Sequence, residues 1–176
     1  MKLVLAVSGA SGIGLAKKFI DYLPNNIDVH LVMSEHSKIV SYFEENITIH
    51  DNKTISASIA SGSFGVDVTV VIPCSMNTLA KISCGIADNL VTRVASVAIK
   101  ERKALLLAPR EMPFSAIALE NMHKLSQLGI IIAPPVMAYY SQQQSLEDME
   151  NFVVGKWFDL LGIENNLYKR WQVEES

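Results

Sequence analysis

The stretch LVLAVSGASGIGLAKKF, residues 3–19, decides the fold. It opens with five apolar residues, as befits a strand covered on both faces. It breaks at Ser8-Gly9-Ala10-Ser11-Gly12 and resumes with helical spacing. A strand, a turn of small residues and a helix make a phosphate holder. Small side chains let the backbone approach, and the free N–H groups at the helix start meet the charge. The same residues also serve as a plain strand–helix turn. The glycines run G-x-x-G-x-G, whereas the dinucleotide spacing is G-x-G-x-x-G. Glu35 stands where a ribose-binding acid would. None of the five tyrosines has a lysine four residues later, so the Tyr-x-x-x-Lys of short-chain dehydrogenases is missing. Nicotinamide chemistry becomes a minor option.

Outward from this turn, apolar runs and helical periods alternate without linker or repeat. Residues 2–7, 29–33, 68–72, 104–108 and 130–133 read as strands. Residues 13–23, 35–45, 76–83, 88–102, 115–128 and 145–161 read as helices. The alternation predicts one α/β domain over 1–176, a three-layer, doubly wound parallel sheet of Rossmann-like type. The polar segment 46–66 reads as a surface crossing. The tail 162–176, polar around one Trp, is expected to fold only against something else, at a subunit interface.

In such a sheet, ligands lie outside the carboxyl ends of the strands. The first strand is followed by Ser8 to Gly12, the second by Ser34, and the third by Pro73-Cys74-Ser75-Met76-Asn77-Thr78. The fourth is followed by Arg110 and Glu111, the fifth by PPVMAYYSQQQS. Four ends bring hydroxyls and one brings an Arg-Glu pair, which fits a phosphorylated, hydrogen-bonding ligand. Arg110 can grip a phosphate with its fork; an ion pair with Glu111 is the plainer role. Ser75 and Thr78 could simply cap a helix. Arg93 and Lys100, seven apart, share a helix face and read equally as a solvated stripe, with Glu101 and Asp88 as ion-pair partners.

Composition excludes several classes. A net charge of −3 argues against a nucleic-acid binder. Two cysteines, Cys74 and Cys84, make neither a disulfide framework nor a metal spacing. His30, His36, His50 and His123 are scattered, so no metal site is expected. No apolar run reaches 18 residues, so no membrane span is expected, and the cytoplasm is the default location. With 49% hydrophobic and 19% charged residues, the chain carries enough apolar surface to hint at an oligomer.

The segments VSGASG, PCSMNTLAKISCGIADNLVTRVA, KERKALLLAPREMPFSAIALENM and LEDMENFVVGKWFDLLGI resemble the UbiX-type flavin prenyltransferases nearly end to end. The resemblance implies a flavodoxin-like fold in a homododecamer, with active sites shared between subunits. It implies FMN as the flavin, reduced and prenylated by dimethylallyl phosphate at N5 and then C6. The product serves a UbiD-type decarboxylase, often in ubiquinone biosynthesis. Carried over, Gly9, Ala10, Ser11, Ser34, Ser75, Met76, Asn77, Thr78 and Arg110 resemble the family's flavin-binding set. Arg93, Lys100, Glu111, Tyr140 and Lys156 resemble the set around the prenyl phosphate. Glu44 aligns with a carboxylate that handles protons in the second bond formation, and Trp171 with an aromatic near the prenyl group.

The chemistry suits these residue types. A leaving phosphate needs preorganised cations, here Arg93, Lys100, Arg110 and Lys156, and losing one should cost about 2.7–4 kcal/mol. With four cations present, Mg²⁺ need not be recruited. Lys156 stands where some relatives carry Arg, and SQQQS follows Tyr140 where many have a His- and Pro-containing loop. Two other readings remain. A flavin-dependent cysteine decarboxylase shares the P-x-S-x-N-T loop, but its preceding histidine is absent from 51–73, and PPVMAYY replaces its P-x-M-N-type segment. A flavin carrier without catalysis is the other.

Overall fold

The structure is a computed structural model and describes residues 1–9, 11–34, 47–139 and 143–170. Six parallel strands form one sheet in the order β3-β2-β1-β4-β5-β6. They are β1 (Lys2–Ser8), β2 (Asp28–Met33), β3 (Ile47–Asp51), β4 (Val68–Cys74), β5 (Ala104–Pro109) and β6 (Ile131–Ile132). The described helices are α1 (Ile13–Asp21), α2 (Met76–Ser83), α3 (Leu90–Lys100), α4 (Ala116–Gln127) and α5 (Leu146–Leu160). The expected helix at 35–45 lies outside the described residues.

Alternation along β1 explains the three layers, because successive side chains point to opposite faces. Leu3, Leu5 and Val7 pack with Phe19 of α1 and Phe152, Trp157 and Phe158 of α5. Val4 and Ala6 face the other way, onto Leu79 of α2 and Leu90, Val94 and Ala95 of α3. A strand apolar at every position is what this double covering requires. Two helix starts are fixed by capping boxes: Asn89 with Thr92 opens α3, and Ser145 with Asp148 opens α5. No described helix is long and apolar enough to cross a membrane.

One expectation needs correction. Segment 46–66 is not all surface crossing, since Ile47–Asp51 forms edge strand β3 against β2. Its side chains are mostly exposed, so it lacks the apolar run that marked the inner strands. His30 on β2 and His50 on β3, scattered in sequence, meet at 3.0 Å between Nδ1 and Nε2. Burial first, and then neighbouring His30, hold His50 below its ordinary pKa. The described part of the tail, residues 162–170, makes contacts with its own chain. Arg170 forks onto Asp159 at 2.7 and 3.0 Å, the Tyr168 hydroxyl and Asn165 donate to the same carboxylate, and Tyr168 stacks edge-on against Phe152.

Candidate active site at the carboxyl edge

Strand order reverses between β1 and β4, whose neighbours lie on opposite sides, so this junction is the topological switch point. The register of β4 slips against both neighbours near its carboxyl end, between Ala6 and Ser8 on one side and between Val71 and Cys74 on the other. Such slips re-aim side chains beside active sites. Ser8 bridges the opening: its hydroxyl accepts from the Ser75 N–H at 3.1 Å and donates to the Pro73 carbonyl at 3.3 Å.

Two adjoining cavities open here and share Ser8, Gly9 and Ser75. The larger, about 380 Å³, is lined further by Ser34, Asn77, Thr78, Lys81 and Asn89. The smaller, about 140 Å³, is lined further by Ser11, Pro73, Cys74, Met76, Arg110 and Glu111. Of the nine residues expected to hold flavin, all but Ala10, which is outside the described residues, line these cavities.

Local backbone explains the access. Gly9 and Gly12 adopt φ of 125° and 98°, a region costly for any residue with a Cβ. A Cβ on Gly12 would make only ordinary contacts, 3.4 Å from Pro73 and 3.6 Å from the Arg110 side chain, so it is the left-handed φ that calls for glycine there. Gly12 caps α1 with no side-chain hydrogen bond. Ser75 does cap α2, accepting from the Thr78 N–H at 3.2 Å, and still faces the cavity. Glu111 accepts from the Met112 N–H at 3.2 Å instead of pairing with Arg110, which leaves the guanidinium to the crevice. Cys74 is fully buried and its thiol is pushed up to about 12, so it stays protonated and is no nucleophile.

Among the described residues, Arg93, Lys100 and Lys156, expected around the donor, do not line these two cavities. Asn89 caps the start of α3 at the larger cavity, and Lys100 ends the same helix about 16 Å away by helical rise. That far end sits by the amino edge of the sheet. There Lys103 pairs with Asp67 at 3.9 Å, and Asp67 accepts from the Lys2 N–H. Lys100 itself holds Glu101 at 2.5 Å. Arg93 is exposed on α3. Lys156 lines a separate, mainly apolar groove of about 600 Å³ with Met137, Phe152 and Trp157. Glu44, Tyr140 and Trp171 lie outside the described residues.

Sequence reasoning left Lys81 and Asn89 off its site. The signals existed: Lys81 follows Asn77 by one helical turn, and Asn89-x-x-Thr92 is a capping pattern. No cluster of three or more metal-ligating side chains occurs among the described residues.

Comparison with known proteins gives the family. A family model described as Flavoprotein matches residues 1–158. The flavin prenyltransferase UbiX of Helicobacter pylori is 51% identical, covering 97% of this chain and 98% of its own. A dodecameric FMN-dependent UbiX-like decarboxylase from Escherichia coli O157:H7 superposes with a TM-score of 0.92 at 38% identity, covering 98% of this chain and all of that one. The AnUbiX (PadA1) structure, solved with FMN and dimethylallyl pyrophosphate, gives 0.90 at 36% identity, covering 99% of this chain and 98% of its own. Near-complete coverage on both sides, at identities this high, places the chain in the UbiX flavin prenyltransferase family of flavoproteins.

Proposed function

We propose that the chain transfers the dimethylallyl group of dimethylallyl phosphate to N5 and then C6 of reduced FMN, yielding the prenylated flavin used by UbiD-type decarboxylases. The observation that carries this reading is the meeting of left-handed glycines, hydroxyls, Arg110 and Glu111 in one crevice at the β1/β4 switch point. The residues fit FMN. The hydroxyls and two helix starts of the larger cavity would hold its phosphate end, and the smaller cavity, with Arg110, would take the ring. When bound, the reduced flavin supplies the nitrogen and carbon that accept the prenyl group.

The chain's own residues do the rest. Breaking the allylic C–O bond sends the electron pair to the departing phosphate, and Arg110 lies where its fork can meet that charge. Arg93, Lys100 and Lys156 add cations, and Tyr140 adds a hydroxyl. Because Lys100 is remote from its own crevice, it acts at that of another copy in a homo-oligomer, a dodecamer like the E. coli relative. Glu111 at the crevice and Glu44 take up and return the protons displaced as the two new bonds form. Trp171 walls the prenyl group from water. The FMN and dimethylallyl pyrophosphate held by AnUbiX support both ligand classes.

The test is anaerobic. Protein, reduced FMN and dimethylallyl phosphate are incubated together, and the extracted flavin is weighed by mass spectrometry. A gain of one prenyl unit is expected. Unmodified flavin, from protein shown to bind FMN and the donor, would overturn the assignment and favour the carrier reading.

A further inference from the structure

We propose that Lys81 is the residue by which the site distinguishes a phosphorylated flavin from its unphosphorylated form, an inference that rests on the FMN reading above. Asn77, Thr78 and Lys81 occupy one face of α2, and all three line the 380 Å³ cavity. Ser75 and Asn89, which cap α2 and α3, line it too, so the positive ends of two helices converge on the same space. Among its described lining residues there is no carboxylate, and Lys81 alone carries a full charge. Serine and threonine hydroxyls and helix N–H groups serve ribityl oxygens and phosphate oxygens alike. A fixed positive charge favours the dianion alone.

Lys81 is held ready at the cavity wall. Its Nζ lies 2.6 Å from Asp88 Oδ2, and Asp88 Oδ1 accepts from the Asn89 side chain at 3.0 Å. The lysine hydrogen bond, the largest influence, keeps the Asp88 carboxyl below its usual range. A plain structural role would be a brace between the end of α2 and the start of α3. Yet the pair is solvent-exposed, and such pairs add little stability. The flexible four-carbon stem lets the ammonium leave Asp88 for an arriving phosphate.

Flavin-fluorescence titration of the full chain, with FMN and with riboflavin at low and high salt, tests the assignment. Lys81→Met is expected to weaken FMN binding about tenfold and to flatten its salt dependence, leaving riboflavin within about twofold. Lys81→Arg should retain most FMN affinity. Equal weakening of both flavins would reduce Lys81 to a brace, and unchanged FMN affinity would remove it from recognition; either overturns the proposal. Wild-type protein that does not bind FMN would instead sink the functional reading beneath it.

Discussion

The crevice at the carboxyl edge and the far end of α3 treat charge in opposite ways. At the crevice, topology brings hydroxyls, backbone N–H groups, Arg110 and Glu111 from β1, β2, β4 and β5 to one place. At the other end of α3, Lys100 stands exposed beside Glu101, about 16 Å away by helical rise. The difference teaches that one chain can gather a polar crevice from its own strand ends. In the proposed function, this exposed cation acts at the crevice of a second copy.

Several variants press on this contrast. Glu111→Gln is expected to cut flavin prenylation about 100-fold or more while FMN still binds, as for loss of an acid–base group, measured by flavin mass over time. Normal turnover would remove Glu111 from the chemistry. Lys100→Met should cost about 2.7–4 kcal/mol of barrier, with unchanged melting temperature, if the lysine meets the departing phosphate. A variant that melts lower but turns over normally would make Lys100 structural. Ser75→Ala should lose the α2 cap, about 1 kcal/mol in urea unfolding, and weaken FMN binding as well. Lost stability with unchanged FMN affinity would leave the serine a cap only.

The smallest expected effects lie on α5, away from both regions. Trp157 donates from its indole N–H to the Ala133 carbonyl at 2.9 Å, so Trp157→Phe should cost about 1 kcal/mol and spare FMN affinity. Burial raises the Asp159 pKa, but hydrogen bonds from Arg170, Tyr168 and Asn165 outweigh it and hold the carboxyl below its usual range. A depressed pKa adds stability above the unfolded value and loses it as pH falls through the folded one. Asp159→Asn should therefore lower stability at neutral pH and flatten its decline below about pH 4. A parallel decline in both proteins would contradict that role.

Much of the crevice was legible because each inner strand announces itself by an apolar run and ends at a turn of small or hydroxyl residues. The residues just past 2–7, 29–33, 68–72 and 104–108 are among those that line the two cavities. Edge strand β3 escaped that logic. ITIHD is covered on neither face well enough to be apolar throughout, and among the described strands it pairs with β2 alone. The His30–His50 contact depends on that missed register, so residue spacing alone could not disclose it. Lys81 was hidden because a lysine in the last turn of a helix is ordinary. The tail clamp depends on Asp159, whose partners follow it by 6 to 11 residues with no regular period.

Mixed oligomers test the central claim most directly. Lys100→Met and Glu111→Gln chains are co-expressed in equal amounts, and prenylated flavin is measured against each parent alone. If Lys100 acts at another chain's crevice, random mixing restores about a quarter of the sites, because a crevice with intact Glu111 can meet a copy with intact Lys100. Activity no higher than either parent, in oligomers shown to contain both chains, would contradict the account and require both residues to act from one chain.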